Sequence, residues 1–356
     1  MPPQSPAPRF LIAAGGTAGH VLPALAVAEA LQSRGASVTL AGRPESVEER
    51  LARSAGFEFD AFRVEGLPRR LGIDLARALA RDATAPAACV RILRRRRPVA
   101  VLGAGGYAGG PMVAAAGLLR IPAALMEADA ELGLANRLAA PFAKRIFCAF
   151  PLDGREGPKY RVVGRPIPAR SRPIARADAR AAFGLPQDGA VVLVFGGSQG
   201  AKVLNDAALA AFAESGPSVL HLAGERDFPE LDRRSRRDDY RLLAFTDEFG
   251  AALAAADLVV ARAGGSVWEV AAAGRPALLV PYPHATADHQ EKNAGYFERG
   301  GGAVVVSEGE LDLRQQVEEL LEDPARLAAM SESMLSLARP DAADVVAEEL
   351  IALARA

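Results

Sequence analysis

The sequence predicts an α/β fold of two Rossmann-like, doubly wound domains facing each other across a cleft. Three observations carry that expectation: the chain is 356 residues long, short apolar runs alternate with alanine- and leucine-rich helical stretches, and a second alternating series echoes the first. One domain usually takes ~100–200 residues, so this length favours two cores. Half of the residues are hydrophobic and 24% are charged, the balance of a folded, soluble chain. Strand-then-helix alternation implies a parallel sheet covered on both faces. Ligands of such sheets bind beyond the carboxyl ends of the strands, which places the cleft residues in the turns that follow each strand.

The first series opens with Phe10-Leu11-Ile12-Ala13-Ala14, an apolar run that turns through GGTAGH into a helical stretch. SVTLAG follows, then PVAVLGAGGYAGG before an alanine-rich helix, then IPAALME before LGLANRLAAPFA. From about 162 to 189 prolines and scattered arginines break the periodicity. That break sets the expected boundary: an N-terminal domain over 1–163 and a C-terminal domain over 164–356, leaving open that the last helix crosses back onto the first. The second series starts at AVVLVFGGSQGAKVLNDAALAAF. It continues through SVLHLAG, LLAFTDEFGAALAAADLVVARAGG and SVWEVAAAGRPALLVPYP, with helical stretches to the C-terminus.

A formal net charge of −1 and a pI near 6.5 provide no overall attraction to nucleic acid. The only cysteines are Cys89 and Cys148, and no His/Cys cluster has zinc-site spacing, so a reducing cytoplasm without a bound metal is expected. MPPQSPAPRF lacks the basic stretch and ~7–15-residue apolar core of a secretory signal, and no run of ~20 apolar residues occurs. Membrane contact is therefore expected to be peripheral. Charge is concentrated in one place, arginines 94–97 with Arg91 and with Arg69 and Arg70 upstream. This cluster reads either as a solvated helix end beside the negative pole of the dipole or as an attractor of anionic lipid headgroups. No aromatic residues are interleaved with it, so nucleic acid ranks below both.

Four glycine turns follow predicted strands: Gly15-Gly16-Thr17-Ala18-Gly19, Gly105-Gly106-Tyr107-Ala108-Gly109-Gly110, Gly196-Gly197-Ser198-Gln199-Gly200 and Ala263-Gly264-Gly265-Ser266. Bare backbone there can approach a phosphate or sugar, and the helix that follows offers unpaired N–H groups and partial positive charge. Plain packing is the other use of such turns. None matches the GxxxxGK[ST] loop, and the first lacks GxGxxG spacing. In the fourth turn Glu269 lies one turn into the helix. It is placed either to accept hydrogen bonds from two ribose hydroxyls, with Arg262 beside it, or to stabilise the helix start. His20, at the end of a strand and the start of a helix, is a candidate general base or a helix-entry histidine held by backbone. Glu127 and Asp129 follow IPAALM. They suit a site near a reacting hydroxyl or a bound donor better than a metal pair.

GGTAGHVLPALAVAEAL, GAGGYAGGP, Glu127 with Asn136-Arg137, GGSQGAKVLND, ARAGGSVWEVAAAGRPALLVPYP and DHQEKNA occur in this order over nearly the whole chain. In this the chain resembles the MurG family, the N-acetylglucosaminyltransferases of peptidoglycan synthesis. The resemblance implies a GT-B fold and inverting transfer of GlcNAc from UDP-GlcNAc to the muramoyl 4-hydroxyl of undecaprenyl-diphosphoryl-MurNAc-pentapeptide. No cofactor or essential metal is implied, and the expected location is the cytoplasmic face of a bacterial membrane, against an anionic lipid surface.

Carried over residue by residue, the resemblance makes His20 the candidate base, with Glu127 as the group that would share that role. Thr17, Ala18 and Gly19 would lie by the donor diphosphate and sugar. Ser198 and Gln199 would touch the donor, Thr246 would offer backbone bonds to uracil, Gly264, Gly265 and Ser266 would hold phosphate, Glu269 would bind ribose and Gln290 would read the GlcNAc hydroxyls. Arg262, Asp129 and Asn136 join the donor set; Gly16, Gly106 and Tyr107 face the acceptor. Two departures stand out. The family's His-Glu-Gln-Asn is here Met126-Glu127-Ala128-Asp129, and its Gly-Asn-Pro-Val-Arg is Gly164-Arg165-Pro166-Ile167-Pro168, which leaves Arg165 to meet a phosphate. A related transferase with another acceptor, a UDP-sugar 2-epimerase and a silent nucleotide-sugar sensor remain the alternatives.

Overall fold

The computed structural model describes residues 7–16, 18–64, 84–197, 199–234, 236–285 and 288–355. It divides into two compact units, one of Met1–Pro168 with Pro340–Ala356 and the other of Ala169–Arg339. The division between them falls at Pro168, where the sequence reading puts it between 163 and 164.

In the first unit the strands are β1 (Arg9–Ala13), β2 (Ser37–Gly42), β3 (Glu58–Ala61), β4 (Ala100–Gly103), β5 (Ala123–Glu127), β6 (Arg145–Cys148) and β7 (Tyr160–Val162). They form one parallel sheet in the order β3-β2-β1-β4-β5-β6-β7. β1 and β4 are buried along almost their whole length because helices cover both faces, which explains their unbroken apolar runs. One face packs under the helix Ala18–Ser33, whose Val21, Leu25, Ala28 and Leu31 meet Phe10, Ile12 and Leu102. The C-terminal helix Ala342–Arg355 adds Val346, Ala347 and Leu350 to the same core, and Arg34 pairs with Asp344 and Glu348 at its rim. The other face is covered by the helices Ala85–Arg96 and Gly106–Leu118.

The second unit holds β8 (Val191–Phe195), β9 (Ser218–Leu222), β10 (Tyr240–Leu243), β11 (Leu258–Ala261), β12 (Ala277–Leu279) and β13 (Ala303–Val305). They too are parallel, in the order β10-β9-β8-β11-β12-β13. Both sheets reverse direction once. The switch lies between β1 and β4 in the first unit and between β8 and β11 in the second. The four glycine turns of the sequence are the turns that follow these four strands. A switch point is where the flanking helices diverge to opposite faces and leave a crevice, so the turns occupy the two places where a doubly wound sheet binds ligands.

At the first switch point the turns interlock. Gly106 has φ +68°, and a Cβ there would sit 1.7 Å from the Gly15 carbonyl oxygen, a backbone atom that cannot swing away. Gly106→Ala is therefore expected to destabilise the protein by about 3 kcal/mol through strain and overpacking. Gly264→Ala, with no atom within 4 Å of the added carbon, should leave the urea midpoint nearly unchanged. Equal midpoints for the two variants would contradict this.

Candidate active site

His20 occupies the first turn of the helix Ala18–Ser33, directly beneath the second glycine turn: a Cβ on Gly105 would meet its Cδ2 at 2.7 Å. Burial first, and the Arg165 cation second, push its pKa below the usual histidine value, while Asp129 and Glu48 pull the other way. The imidazole is therefore neutral at pH 7, the form able to accept a proton. Its Nδ1 is buried with no hydrogen-bond partner among the described residues. Arg165, 8% exposed, donates from Nη2 to the Gly19 carbonyl, which puts its charge beside the histidine.

Glu127 ends β5, and its buried carboxylate is held by four donors. Oε1 accepts from the amides of Ala128 (3.0 Å) and Asp129 (3.3 Å). Oε2 accepts from the Gly133 amide and from Asn136 Nδ2, both at 2.9 Å. Asn136 also donates to the Met126 carbonyl, so it orients Glu127 from a buried position. Burial outweighs these donors and pushes the Glu127 carboxyl up to about 7. A group that titrates there suits general acid–base work at neutral pH. His20, Glu127, Arg165, Gly19, Met126 and Pro166 line one narrow pocket.

An acid limb in kcat near pH 7 is expected from this carboxyl, because the proton-accepting form exists only above that value. Glu127→Gln should remove the component near pH 7 and leave only the His20 contribution at lower pH; a component near 7 that survives in the variant would assign it elsewhere. The stability linkage has its own sign. A folded value raised above the unfolded one favours the fold at low pH, a contribution lost as pH rises through about 7.

The first unit thus brings together Gly16, Gly19, Gly106, Tyr107, His20, Glu127, Asp129, Asn136 and Arg165. The Tyr107 hydroxyl, however, donates to Glu48 Oε1 at 2.7 Å, and its ring lies against Gly15. Ala18 begins its helix, while Thr17 and Ser198 lie outside the described residues.

In the second unit Ser266 precedes the helix Val267–Ala272, with Glu269 partly exposed in its first turn. The amides of Val267, Trp268 and Glu269 bond the carbonyls of Gly264, Gly265 and Ser266. Trp268, 1% exposed, packs on Tyr296 and Phe297 of the helix His289–Arg299 with ring centroids 5.8 and 5.3 Å apart. Asn293 of that helix donates to the Ala263 carbonyl at 3.2 Å and so ties down the turn. Gln290, one turn earlier, accepts the Tyr282 amide at 3.0 Å. Arg262 donates to the carbonyls of Val280 and Pro281, pairs with Glu308 and lies over the Tyr282 ring. Arg262, Gly264, Gly265, Ser266, Glu269 and Gln290 are thereby gathered at the ends of β11 and β12. Gln199 is exposed in the turn after neighbouring β8, and Thr246 follows the edge strand β10, its hydroxyl accepting the Glu248 amide. Glu48 and Asn293 were missed by the sequence reading. DHQEKNA contains the asparagine, but nothing in GRPESVEERLARS marks one glutamate of a charged helix as buried.

Two Rossmann-like units, each with glycine turns at its switch point, make this a GT-B fold. Residues 10–148 match the glycosyltransferase family 28 N-terminal domain and residues 191–346 the family 28 C-terminal domain. A UDP-N-acetylglucosamine–N-acetylmuramyl-(pentapeptide) pyrophosphoryl-undecaprenol N-acetylglucosamine transferase from Rubrobacter xylanophilus is 42% identical over 92% of this chain and 99% of that protein. One of the same name from Halothermothrix orenii is 36% identical over 93% and 95%. The crystal structure of Acinetobacter baumannii MurG superposes with a TM-score of 0.76 at 29% identity, covering 98% of this chain and all of that one. The chain belongs to glycosyltransferase family 28 and, within it, to the MurG family.

Proposed function

We propose that this chain transfers GlcNAc from UDP-GlcNAc to the 4-hydroxyl of the muramoyl residue of undecaprenyl-diphosphoryl-MurNAc-pentapeptide, with inversion at the anomeric carbon, in peptidoglycan synthesis. The observation that carries this reading is the division of chemistry between the switch points. A neutral histidine and a near-neutral glutamic acid stand at one, and a glycine-serine turn followed by Glu269 stands at the other.

In the reaction the acceptor O–H bond breaks and its proton passes to His20, with Glu127 the second proton-accepting group of the same pocket. The oxygen's electron pair forms the new bond to the anomeric carbon. The bond from that carbon to the diphosphate breaks, and its electron pair leaves on UDP. Charge growing on the diphosphate is met by backbone amides. Because the amides of Val267, Trp268 and Glu269 close turns of their own, those contacts fall to Gly264, Gly265 and Ser266. Glu269 accepts from the ribose hydroxyls, and Gln290 reads the GlcNAc hydroxyls. Gln199, Ser198 and Thr246 complete the donor contacts, while Arg262 holds the β12 end in place beside them. UDP-GlcNAc is a substrate, and no cofactor enters the scheme.

Labelled UDP-GlcNAc incubated with the lipid-linked muramoyl acceptor should give a lipid-linked disaccharide and UDP in equal amounts. Conversion of the donor without acceptor would instead indicate an epimerase, and tight UDP binding without product a sensor.

The acceptor's lipid tail places the first unit against a membrane. Among the described residues no helix is long and apolar enough to cross one. Of the basic run, Arg95 and Arg96 are paired with Asp60, and Arg96 also with Glu58. Arg91, Arg94 and Arg97 instead line shallow pockets with Val90, Leu119 and Ile121. Leu118 is 71% exposed next to them, and Phe142 packs on the same helix at Gly117. Exposed apolar side chains beside cations fit the interface of an anionic bilayer. At ~1 kcal/mol per cation, Arg91→Ala/Arg94→Ala should weaken binding to phosphatidylglycerol vesicles by about tenfold or more. Unchanged co-sedimentation would remove this face from the membrane contact.

A further inference from the structure

Glu48 has no part in the scheme above, yet it is only 1% exposed on the short helix Val47–Ser54, where the other buried residue is the apolar Ala52. The fold makes room for it. Ser46 caps the helix by accepting the Glu49 amide, and Gly42 at the end of β2 leaves the space that Glu48 fills. A Cβ on Gly42 would come within 2.8 Å of Glu48 Cγ. From there Oε1 accepts the Tyr107 hydroxyl at 2.7 Å and the Arg43 amide at 3.3 Å. The Tyr107 ring lies against Gly15, and a Cβ on Gly16 would meet it at 3.8 Å. Oε2 is buried and has no hydrogen-bond partner among the described residues. A buried carboxylate with one oxygen unpaired is a poor way to stabilise a core. The charge also acts on His20, beside the same turn.

We propose that Glu48 is a positioning residue of the transfer reaction. Through Tyr107 it locks the turn at 15–16 around His20, and its carboxylate stabilises the cation formed when His20 takes the acceptor's proton. This rests on the reading of His20 as the base. Three elements besides its own helix present charge to the imidazole: Arg165 from the segment after β7, Asp129 from the turn after β5, and Glu48. Glu127 lines the same pocket, and Tyr107 faces the turn from the helix Gly106–Leu118. Arg165 bonds the Gly19 carbonyl directly, whereas Glu48 acts on the other end of the turn through Tyr107, whose hydroxyl it holds and whose ring packs against Gly15.

The test uses the full chain with UDP-GlcNAc and the lipid-linked acceptor, and compares wild type with Glu48→Gln, Glu48→Asp and Tyr107→Phe. Thermal melts identify any variant that fails to fold. Glu48→Gln should lower kcat by about tenfold with little change in KM for UDP-GlcNAc. It should also move the His20 contribution to the acid limb to lower pH, since loss of a nearby negative charge disfavours the imidazolium. Glu48→Asp should recover part of kcat. Tyr107→Phe should lower kcat but leave the limb in place, because the charge remains. A Glu48→Gln enzyme with wild-type kcat and pH profile overturns the proposal. So does one whose lost kcat comes with an unshifted limb and no recovery in the aspartate variant. A wild-type chain that makes no product overturns the underlying reading, and this one with it.

Discussion

His20→Ala should lower kcat by about 1,000-fold while leaving the Kd for UDP-GlcNAc within about twofold of wild type. The size follows from the role: a positioned base that takes a proton in the transition state contributes roughly 100- to 10,000-fold. The selectivity for kcat follows from placement. His20 belongs to the first unit, held between the Gly105 backbone and the Arg165 side, whereas the proposed donor contacts are made by residues of the second. Glu127 shares the pocket, so some turnover should remain, and a His20→Ala/Glu127→Gln double variant should lose less than the product of the single losses. Unchanged kcat in the His20 variant would take that residue out of the chemistry. A raised Kd with unchanged kcat would make it a binding residue.

Glu269→Ala should fail in the opposite way, raising the Kd for UDP-GlcNAc by about 10- to 100-fold with kcat at saturation little altered. A charge-assisted pair of hydrogen bonds to a vicinal diol is worth roughly 1.5–3 kcal/mol, which is that range. The helix that carries it should survive the change, because Trp268 and Val270 on either side are buried and Trp268 is wedged against Phe297. Calorimetric titration with UDP-GlcNAc and with UDP checks this directly. Glu269→Asp should lie between the two, and dTDP, which lacks the ribose 2′-hydroxyl, should bind wild type and Glu269→Ala more nearly alike. Equal affinity of both proteins for UDP-GlcNAc would remove Glu269 from the donor site.

The α/β class and the two Rossmann-like series were legible in the sequence because buried parallel strands need unbroken apolar runs, and FLIAA, AVLG and VVLVF supply them. The four glycine turns could be read because each ends such a run. Strands without that signal escaped. β7, Tyr160-Arg161-Val162, is a short edge strand with its last two residues exposed. β13 is three residues long and follows three glycines, so it resembled a loop before the terminal helices. Within the candidate site, His20 and Glu127 could be named because they stand where strands end. Their properties could not: the lowered and raised pKa values come from burial that only the packing of Gly105, Pro166 and Met126 creates. Nor could the sequence show that Asn136 orients Glu127, that Tyr107 is engaged by Glu48, or that Arg95 and Arg96 are occupied by Asp60. Each depends on a partner at least nine positions away in the chain.

The most direct test is a crystal structure of the chain with UDP-GlcNAc bound. The ribose hydroxyls should lie within hydrogen-bond distance of Glu269, with the diphosphate against the amides of Gly265 and Ser266 and the sugar beside Gln290. A nucleotide seated anywhere else, with Glu269 untouched, would contradict the account of how this chain holds its donor.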